Sequence, residues 1–228
     1  MAARHRTNPC PQHHPYDVEA PPFCVLLGPD YAGKSSALAR LLAEAPRWRP
    51  VSVDDGQLAP EHALIGRLRR AVVTDVAARA GAWSPEFFGT LLQTAVLQLR
   101  DQLLAGAPGQ PAVVDSYYYK LLAKCRLAGV PEHPMLTWWR SFPKPRRIIY
   151  LDVSPHTAWR RSHDGADLNV LEHYGPHPDW DGFRRYQEDL AKLMRDEIRD
   201  LPVSVIEEQG TPARTAAAIQ EVLAHEFR

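Results

Sequence analysis

The run Gly28-Pro29-Asp30-Tyr31-Ala32-Gly33-Lys34-Ser35 fits the pattern G-x-x-x-x-G-K-[ST]. Each fixed position has a mechanical task. The glycines let the backbone curl so that successive N–H groups face a phosphate, and a helix N-terminus behind them adds partial positive charge. Lys34 would bridge the β- and γ-phosphates, and the Ser35 hydroxyl would hold Mg²⁺. Ser36 is a further candidate for the α-phosphate, while Asp30, Tyr31 and Ala32 supply the intervening main chain. A plain glycine turn at a helix start would explain Gly28 and Gly33 but not the lysine and hydroxyl beside them.

Other residues qualify by type and place. Asp115 closes the apolar run Ala112-Val113-Val114, where a carboxylate can hold the metal of a phosphate site; its plainer use is to cap the next helix. Arg160 and Arg161 head a polar segment of about 159–177 that suits a lid carrying transition-state charge, or else an exposed helix end with basic residues. Asp54 and Asp55 follow the second apolar run and can take a hydroxyl proton, although Asp-Asp-Gly is also a turn sequence. Tyr117 can stack on a planar ring or pack on a sheet, and Trp138 and Trp139 read as core.

These groups need elements to position them. Phe23-Cys24-Val25-Leu26-Leu27 is a continuous apolar run, as in a strand buried on both faces. Further strands are expected at 51–53, 111–115, 147–152 and 202–206. Helical spacing of apolar residues occupies the stretch after the phosphate loop, 61–80, the stretch from Ser84-Pro85 to Leu99, 183–198 and the end from Thr211-Pro212. Strands alternating with helices predict a parallel sheet covered on both faces, with ligands at the C-terminal ends of its strands. Residues 1–21, rich in proline, histidine and charge, read as a disordered arm before one domain over 22–228; His13-His14 is a solvated tail by the same reading.

Composition narrows the function. The chain has 228 residues, 27 Lys+Arg and 27 Asp+Glu, so no general basic field exists for a nucleic-acid polymer. Cys10, Cys24 and Cys125 form neither a disulfide framework nor a zinc site and suit a reducing cytoplasm. No apolar run approaches the ~20 residues that cross a bilayer, and the first twenty residues lack a signal-peptide core.

Over residues 22–226 the chain resembles the thymidylate-kinase-like branch of P-loop nucleotide kinases. Its loop is similar to that family's G-x-D-G-x-G-K-S, including the aspartate in third place. Tyr150-Leu151-Asp152-Val153-Ser154-Pro155 resembles the family's Tyr-Leu-Asp-Val before a proline, and Asp115-Ser116-Tyr117 stands where it has Asp-Arg-Tyr. Arg160 and Arg161 fall at the start of its arginine-bearing lid, and Gly210-Thr211-Pro212 at its adenine-contacting loop. The resemblance implies a three-layer fold with a five-stranded parallel sheet in the order 2-3-1-4-5 and a helical lid. It also implies ATP and Mg²⁺, a nucleoside or nucleoside monophosphate as acceptor, and a homodimer.

Departures concentrate on the acceptor side. Ser116 replaces an arginine, Asp54-Asp55-Gly56 stands in for Arg-Glu-Pro-Gly-Gly, Tyr31 replaces a small loop residue, and only Leu97 or Arg100 falls near the arginine of the family's long helix. Three arginines that would engage a substrate phosphate are thus absent or displaced, costing it charge-assisted partners, and Tyr31 adds bulk toward the acceptor side. Two acceptors stay open: a phosphate held by Lys120, Lys124 or Arg126, or an uncharged nucleoside or other alcohol with Asp55 or Asp54 as base. The alternative functions are a kinase of a non-nucleoside hydroxyl and a nucleotide-binding protein without turnover.

Overall fold

Phe23–Leu27 forms β1, and all five of its side chains are buried, which requires a central position with helices over both faces. In this computed structural model, residues 20–228 are described apart from 45, 46, 80 and 108. After the phosphate loop come α1 (Lys34–Glu44), β2 (Arg49–Val51), a 3-10 turn at Pro60–His62, α2 (Ala63–Ala71) and a π-helical turn at Val72–Ala77. Then follow α3 (Pro85–Leu104), β3 (Ala112–Asp115), α4 (Tyr119–Leu127), α5 (Pro134–Arg140) and β4 (Arg147–Asp152). The chain ends with α6 (Pro155–Arg161), α7 (Trp180–Ile198), β5 (Val203–Glu207) and α8 (Pro212–Glu226).

The strands form one parallel sheet in the order β2-β3-β1-β4-β5. Alternation along the strands divides the core. Phe23, Val25, Leu27, Val114, Ile148 and Tyr150 point toward α3, α4, α5 and α7, whereas Cys24, Leu26, Val113, Ile149 and Leu151 point toward α1 and α8. Burying each such aliphatic side chain contributes about 1.5–3 kcal/mol. The register opposes Leu26 to Asp115 on one side and to Ile149 on the other, so the β3 carboxylate ends beside the start of the phosphate loop.

Helix starts follow the sequence. Ser84, Ser154 and Thr211 each precede a proline and accept from the main-chain N–H of Phe87, Thr157 and Arg214, at 3.1, 3.2 and 3.3 Å. Such caps are worth about 1 kcal/mol each. Three differences matter for the site. β2 covers Arg49–Val51 rather than 51–53, because the chain turns directly afterwards: the Asp54 N–H donates to the Ser52 hydroxyl at 3.1 Å and the Gln57 N–H to the Asp54 carbonyl at 2.8 Å. The expected helix over 61–80 is broken into a 3-10 turn, α2 and the π turn. α4 and α5 were not anticipated, since their apolar residues follow turn-like stretches that blur the period.

Of the expected lid, α6 is the helical part and residues 162–179 run as successive turns and bends. Most of the expected N-terminal arm, with His13, His14 and Cys10, lies outside the described residues, while Pro21 at its end is buried. Cys24 and Cys125 are free and buried, and burial pushes both thiols up to about 12, which removes them as nucleophiles. Among the described residues no helix is long and apolar enough to cross a membrane.

Candidate active site

The phosphate loop is held from beneath by the sheet. A Cβ on Gly28 would sit 2.8 Å from the Leu151 carbonyl, so only glycine lets the loop leave β1 over β4. Gly33, at φ +88°, makes the left-handed step into α1, whose first N–H···O bond runs from Ala37 to Gly33 at 3.0 Å. The Lys34 ammonium donates to the carbonyls of Gly28 and Pro29 at 3.0 and 2.8 Å. It is buried, and that burial, then the neighbouring Lys120, pushes its pKa down to about 7.

Asp30 lies on the underside of the loop, 6% exposed. Lys120 approaches its carboxylate at 2.5 Å and Lys124 at 3.2 Å, and the Gln187 amide donates to it at 3.3 Å. The Asp30 main-chain N–H in turn donates to Gln187 at 3.0 Å. Burial, the largest single influence, raises this carboxyl, but the charges of Lys120, Lys124 and Lys34 together outweigh it and hold Asp30 below the usual carboxylate range. Tyr31 adopts φ +57° and its hydroxyl reaches over to the Asp167 carbonyl at 2.8 Å and Glu172 at 3.3 Å, tying the loop to the lid segment. Burial and then the Asp30 charge raise the Glu172 carboxyl.

Above the loop an oxygen-rich chain links two elements. The Ser35 hydroxyl donates to Asp54 at 2.6 Å. The Asp54 N–H donates to the Ser52 hydroxyl at 3.1 Å, which in turn reaches Asp115 at 3.5 Å. Arg69 of α2 binds Asp54 at 3.2 Å and the Val53 carbonyl. After Asp115 the chain makes two left-handed steps, Ser116 at φ +59° and Tyr117 at φ +46°. Strain of that kind in non-glycine residues gathers at functional sites.

The arginine pair divides. Arg161 donates to the Tyr31 carbonyl at 3.2 Å and lies over Gly33, whereas Arg160, one helical step of α6 away, turns to Thr157 at 3.4 Å. The loop, Asp54, Asp115 and Arg161 border a cavity of about 790 Å³ that runs from Gly210, Pro212 and Thr215 at one end to α3 and the π turn at the other. A second hollow of about 520 Å³ beside Pro29 is rimmed by Asp152, Glu188, Glu207 and Glu208 against one cation, Arg195, which pairs with Asp152 at 2.8 Å, an excess of acid that repels a polyphosphate. The larger cavity is therefore the one suited to phosphates.

No protein-family model matches the chain, and no curated protein matches it. Solved structures do. Deoxyadenosine kinase from M. mycoides, solved with dCMP and a flexible dCDP, superposes with a TM-score of 0.58 at 13% identity, over 89% of this chain and 98% of that one. Thymidylate kinase from Candida albicans gives 0.56 at 13% identity, over 92% and 94%. The fold is that of the thymidylate-kinase-like nucleoside and nucleotide kinases.

Within this kinase fold the sequence-selected residues separate into two groups. Asp30, Tyr31, Ala32, Gly33, Lys34, Ser35, Ser36, Asp54, Asp115, Tyr117 and Arg161 all border the large cavity. Asp55 does not: it packs on Gly66 and pairs with Arg70, because the early end of β2 turns Asp54, not Asp55, inward. Arg160 does not either, for the helical reason just given. Arg100 faces Trp138 and Phe142, with ring centroids at 5.5 and 4.9 Å, and bonds Asp101, since α3 turns its Leu91–Ala95–Leu99 stripe to the cavity instead. Arg126 pairs with Glu132 at 3.6 Å. Tyr117 touches the cavity from a fully buried ring wedged between Phe23 and Tyr118, at 5.7 and 4.9 Å.

Sequence reasoning did not select Ser52, Arg69, Glu172 or Gln187. Glu172 lay inside the lid segment already marked by its polarity, and the other three had no motif to reveal them. The donors available to a metal are the Ser35 hydroxyl and the Asp54 and Asp115 carboxylates, an all-oxygen set matching Mg²⁺ with phosphate oxygens completing it. Among the described residues no group of three His, Cys, Asp or Glu side chains makes a closed protein cage, as expected where a substrate brings the remaining ligands.

Proposed function

We propose that the protein is an ATP-dependent phosphotransferase that moves the γ-phosphoryl group onto a hydroxyl of a small acceptor, of the nucleoside and nucleotide kinase kind. The observation that supports this most is one juxtaposition: Lys34 under the phosphate loop, Arg161 over it, and Asp54 2.6 Å from Ser35 where the loop meets the rest of the cavity.

The nucleoside end of ATP lies toward Gly210 and Pro212, and its phosphates lie along the loop and the N-terminus of α1. Lys34 turns from its own loop carbonyls to the β/γ-phosphates, exchanging two neutral acceptors for charged ones. The Ser35 hydroxyl and the Asp115 carboxylate would hold Mg²⁺, which would supply neutralising charge to the phosphates. Asp54, oriented by Arg69, takes the proton of the acceptor hydroxyl. The acceptor oxygen bonds to the γ-phosphorus as the bond to the β-bridging oxygen breaks, ADP leaves with that electron pair, and Arg161 neutralises charge on the equatorial oxygens. Asp54 thus has the role for which the sequence also offered Asp55.

The test is a coupled ADP-release assay with Mg-ATP, run against nucleosides, nucleoside monophosphates and neutral alcohols in parallel, with Lys34→Met as control. Turnover is expected to fall by about 10³-fold or more in that variant, about 4 kcal/mol of transition-state stabilisation, at a melting temperature no lower than the wild type's. Wild-type turnover in Lys34→Met would sink the reading. Tight ATP binding with no acceptor stimulating ADP release would favour a binding protein without turnover.

A further inference from the structure

We propose that Lys120 of α4 is a second catalytic ammonium, binding the γ-phosphoryl group in transfer while Lys124 keeps Asp30 paired. This rests on the phosphotransferase reading above, to which it adds a residue. Lys120 and Lys124 lie one helical turn apart on α4, and both border the large cavity. Their ammoniums close on one carboxylate, Asp30, at 2.5 and 3.2 Å. Each lysine side chain is 12% exposed, so the trio sits largely out of water.

The charges around the loop do not balance. Lys34, Lys120 and Lys124 gather there, and among the described residues Asp30 and Glu172 are the acids placed between them. Asp115 also acts on Lys34, but with Ser35 it is assigned to Mg²⁺. Three ammoniums against two carboxylates leave one positive charge over, and a buried charge without a counter-ion is costly. The cost shows at Lys34, whose charged form is disfavoured by burial and then by Lys120 beside it. A γ-phosphoryl group bound by Lys34 supplies the missing counter-ion within reach of Lys120.

The contacts single out Lys120 as the ammonium that moves. Lys124 is held twice, by Asp30 and by the Leu171 carbonyl of the lid segment at 3.1 Å. Lys120 is held by Asp30 and stands against a like charge, Lys34. When Lys120 turns away, Asp30 keeps Lys124 and the Gln187 amide at 3.3 Å, so no buried carboxylate is stranded. The phosphoryl group is then met from three elements, by Lys34 at the start of α1, Arg161 of α6 and Lys120 of α4. As the bond from the γ-phosphorus to the β-bridging oxygen breaks and that to the acceptor oxygen forms, Lys120 shares with Arg161 the charge on the equatorial oxygens.

The experiment measures kcat in the Mg-ATP assay, and calorimetric affinities for ADP and for a non-hydrolysable ATP analogue. Lys120→Met should lower kcat by about 10²-fold and cut the preference for the analogue over ADP by about tenfold. Its affinity for ADP alone should be unchanged, which also reports that the variant is folded. Lys124→Met leaves Lys120 to neutralise Asp30, so kcat should fall by about tenfold, and Lys124→Arg should restore it. Arg126→Met, on the same helix but paired with Glu132, should match wild type. Unchanged kcat and unchanged preference for the analogue in Lys120→Met would overturn the proposal. So would a loss confined to KM for monophosphate acceptors, which would place the ammonium on the acceptor's own phosphate. If no acceptor is turned over, the phosphotransferase reading falls, and the preference for the analogue over ADP still decides whether Lys120 meets the γ-phosphate.

Discussion

The two halves of the large cavity are built on opposite plans. At the donor end one continuous run of chain, 28–36, supplies the turn, the ammonium, the hydroxyl and the helix start. At the acceptor end the stretch after β2, α2, the π turn, α3, α4 and the lid segment all contribute, α3 with the most. The donor end keeps its charge available: Lys34 is satisfied by neutral carbonyls that a phosphate can displace. At the acceptor end Arg69 pairs with Asp54, while Lys120 and Lys124 share the one buried carboxylate of Asp30 and Glu172 stands beside them. A phosphoryl donor is thus met by displaceable neutral partners, and the acceptor by side chains already engaged in ion pairs, two ammoniums to one buried carboxylate. The architecture of the fold fixes the first half and leaves the second to the individual sequence.

The sharpest way to break this contrast is to ask which arginine serves the donor end. Arg161→Met should lower kcat by about 10³-fold, the scale of losing a transition-state arginine, while Arg160→Met stays within about twofold. The reverse result would mean that α6 rotates by a residue in the working enzyme and that the contact from Arg161 to Tyr31 belongs only to the free protein. Next in size is the carboxylate at the boundary between the halves. Asp54→Asn should cost about 10²-fold in kcat, with KM for ATP little changed, and Asp55→Asn should match wild type because its carboxylate is turned to Arg70. Equal losses in both would show that the turn 52–56 rearranges when substrate binds.

How much of this was legible in the sequence depends on whether a residue's task is local. The phosphate loop and the proline-backed caps are set by neighbours in the chain and appear in the structure where the spacing put them, and the strand order is the one the family resemblance implied. Choices between adjacent residues were not legible. Asp54 against Asp55 turns on β2 ending at Val51 and on Arg69 of α2 gripping the Asp54 carboxylate, a contact the spacing of the turn does not reveal. Arg160 against Arg161 turns on the phase of α6. The apolar residues of α3 read as core because helical spacing looks the same whether a stripe faces packed side chains or an empty chamber. The i,i+4 pair Lys120 and Lys124 suggested a phosphate grip; that both close on Asp30 depends on α4 lying under the loop.

The smallest expected effect tests the donor end most directly, through its protons. Lys34 is pushed down to about 7 in the free protein by burial and then by Lys120, with Asp115 and Asp30 acting in the opposite sense. The unfolded chain, with the ordinary lysine value of 10.5, therefore binds more protons than the fold between about pH 7 and 10.5, and stability rises with pH across that window. Phosphate oxygens at the loop favour the charged ammonium and raise its pKa again. ATP binding at pH ~8.5 should therefore take up a proton, approaching one per site, and the uptake should vanish below about pH 6, where Lys34 is already charged. Calorimetric binding heats in two buffers of different protonation enthalpy measure this directly. Lys120→Gln sharpens the experiment: removing the like charge raises the Lys34 pKa before ATP arrives, so the uptake at pH ~8.5 should shrink. Zero uptake in the wild type would mean that Lys34 is already charged in the free protein, the loop carbonyls with Asp115 and Asp30 outweighing burial and Lys120.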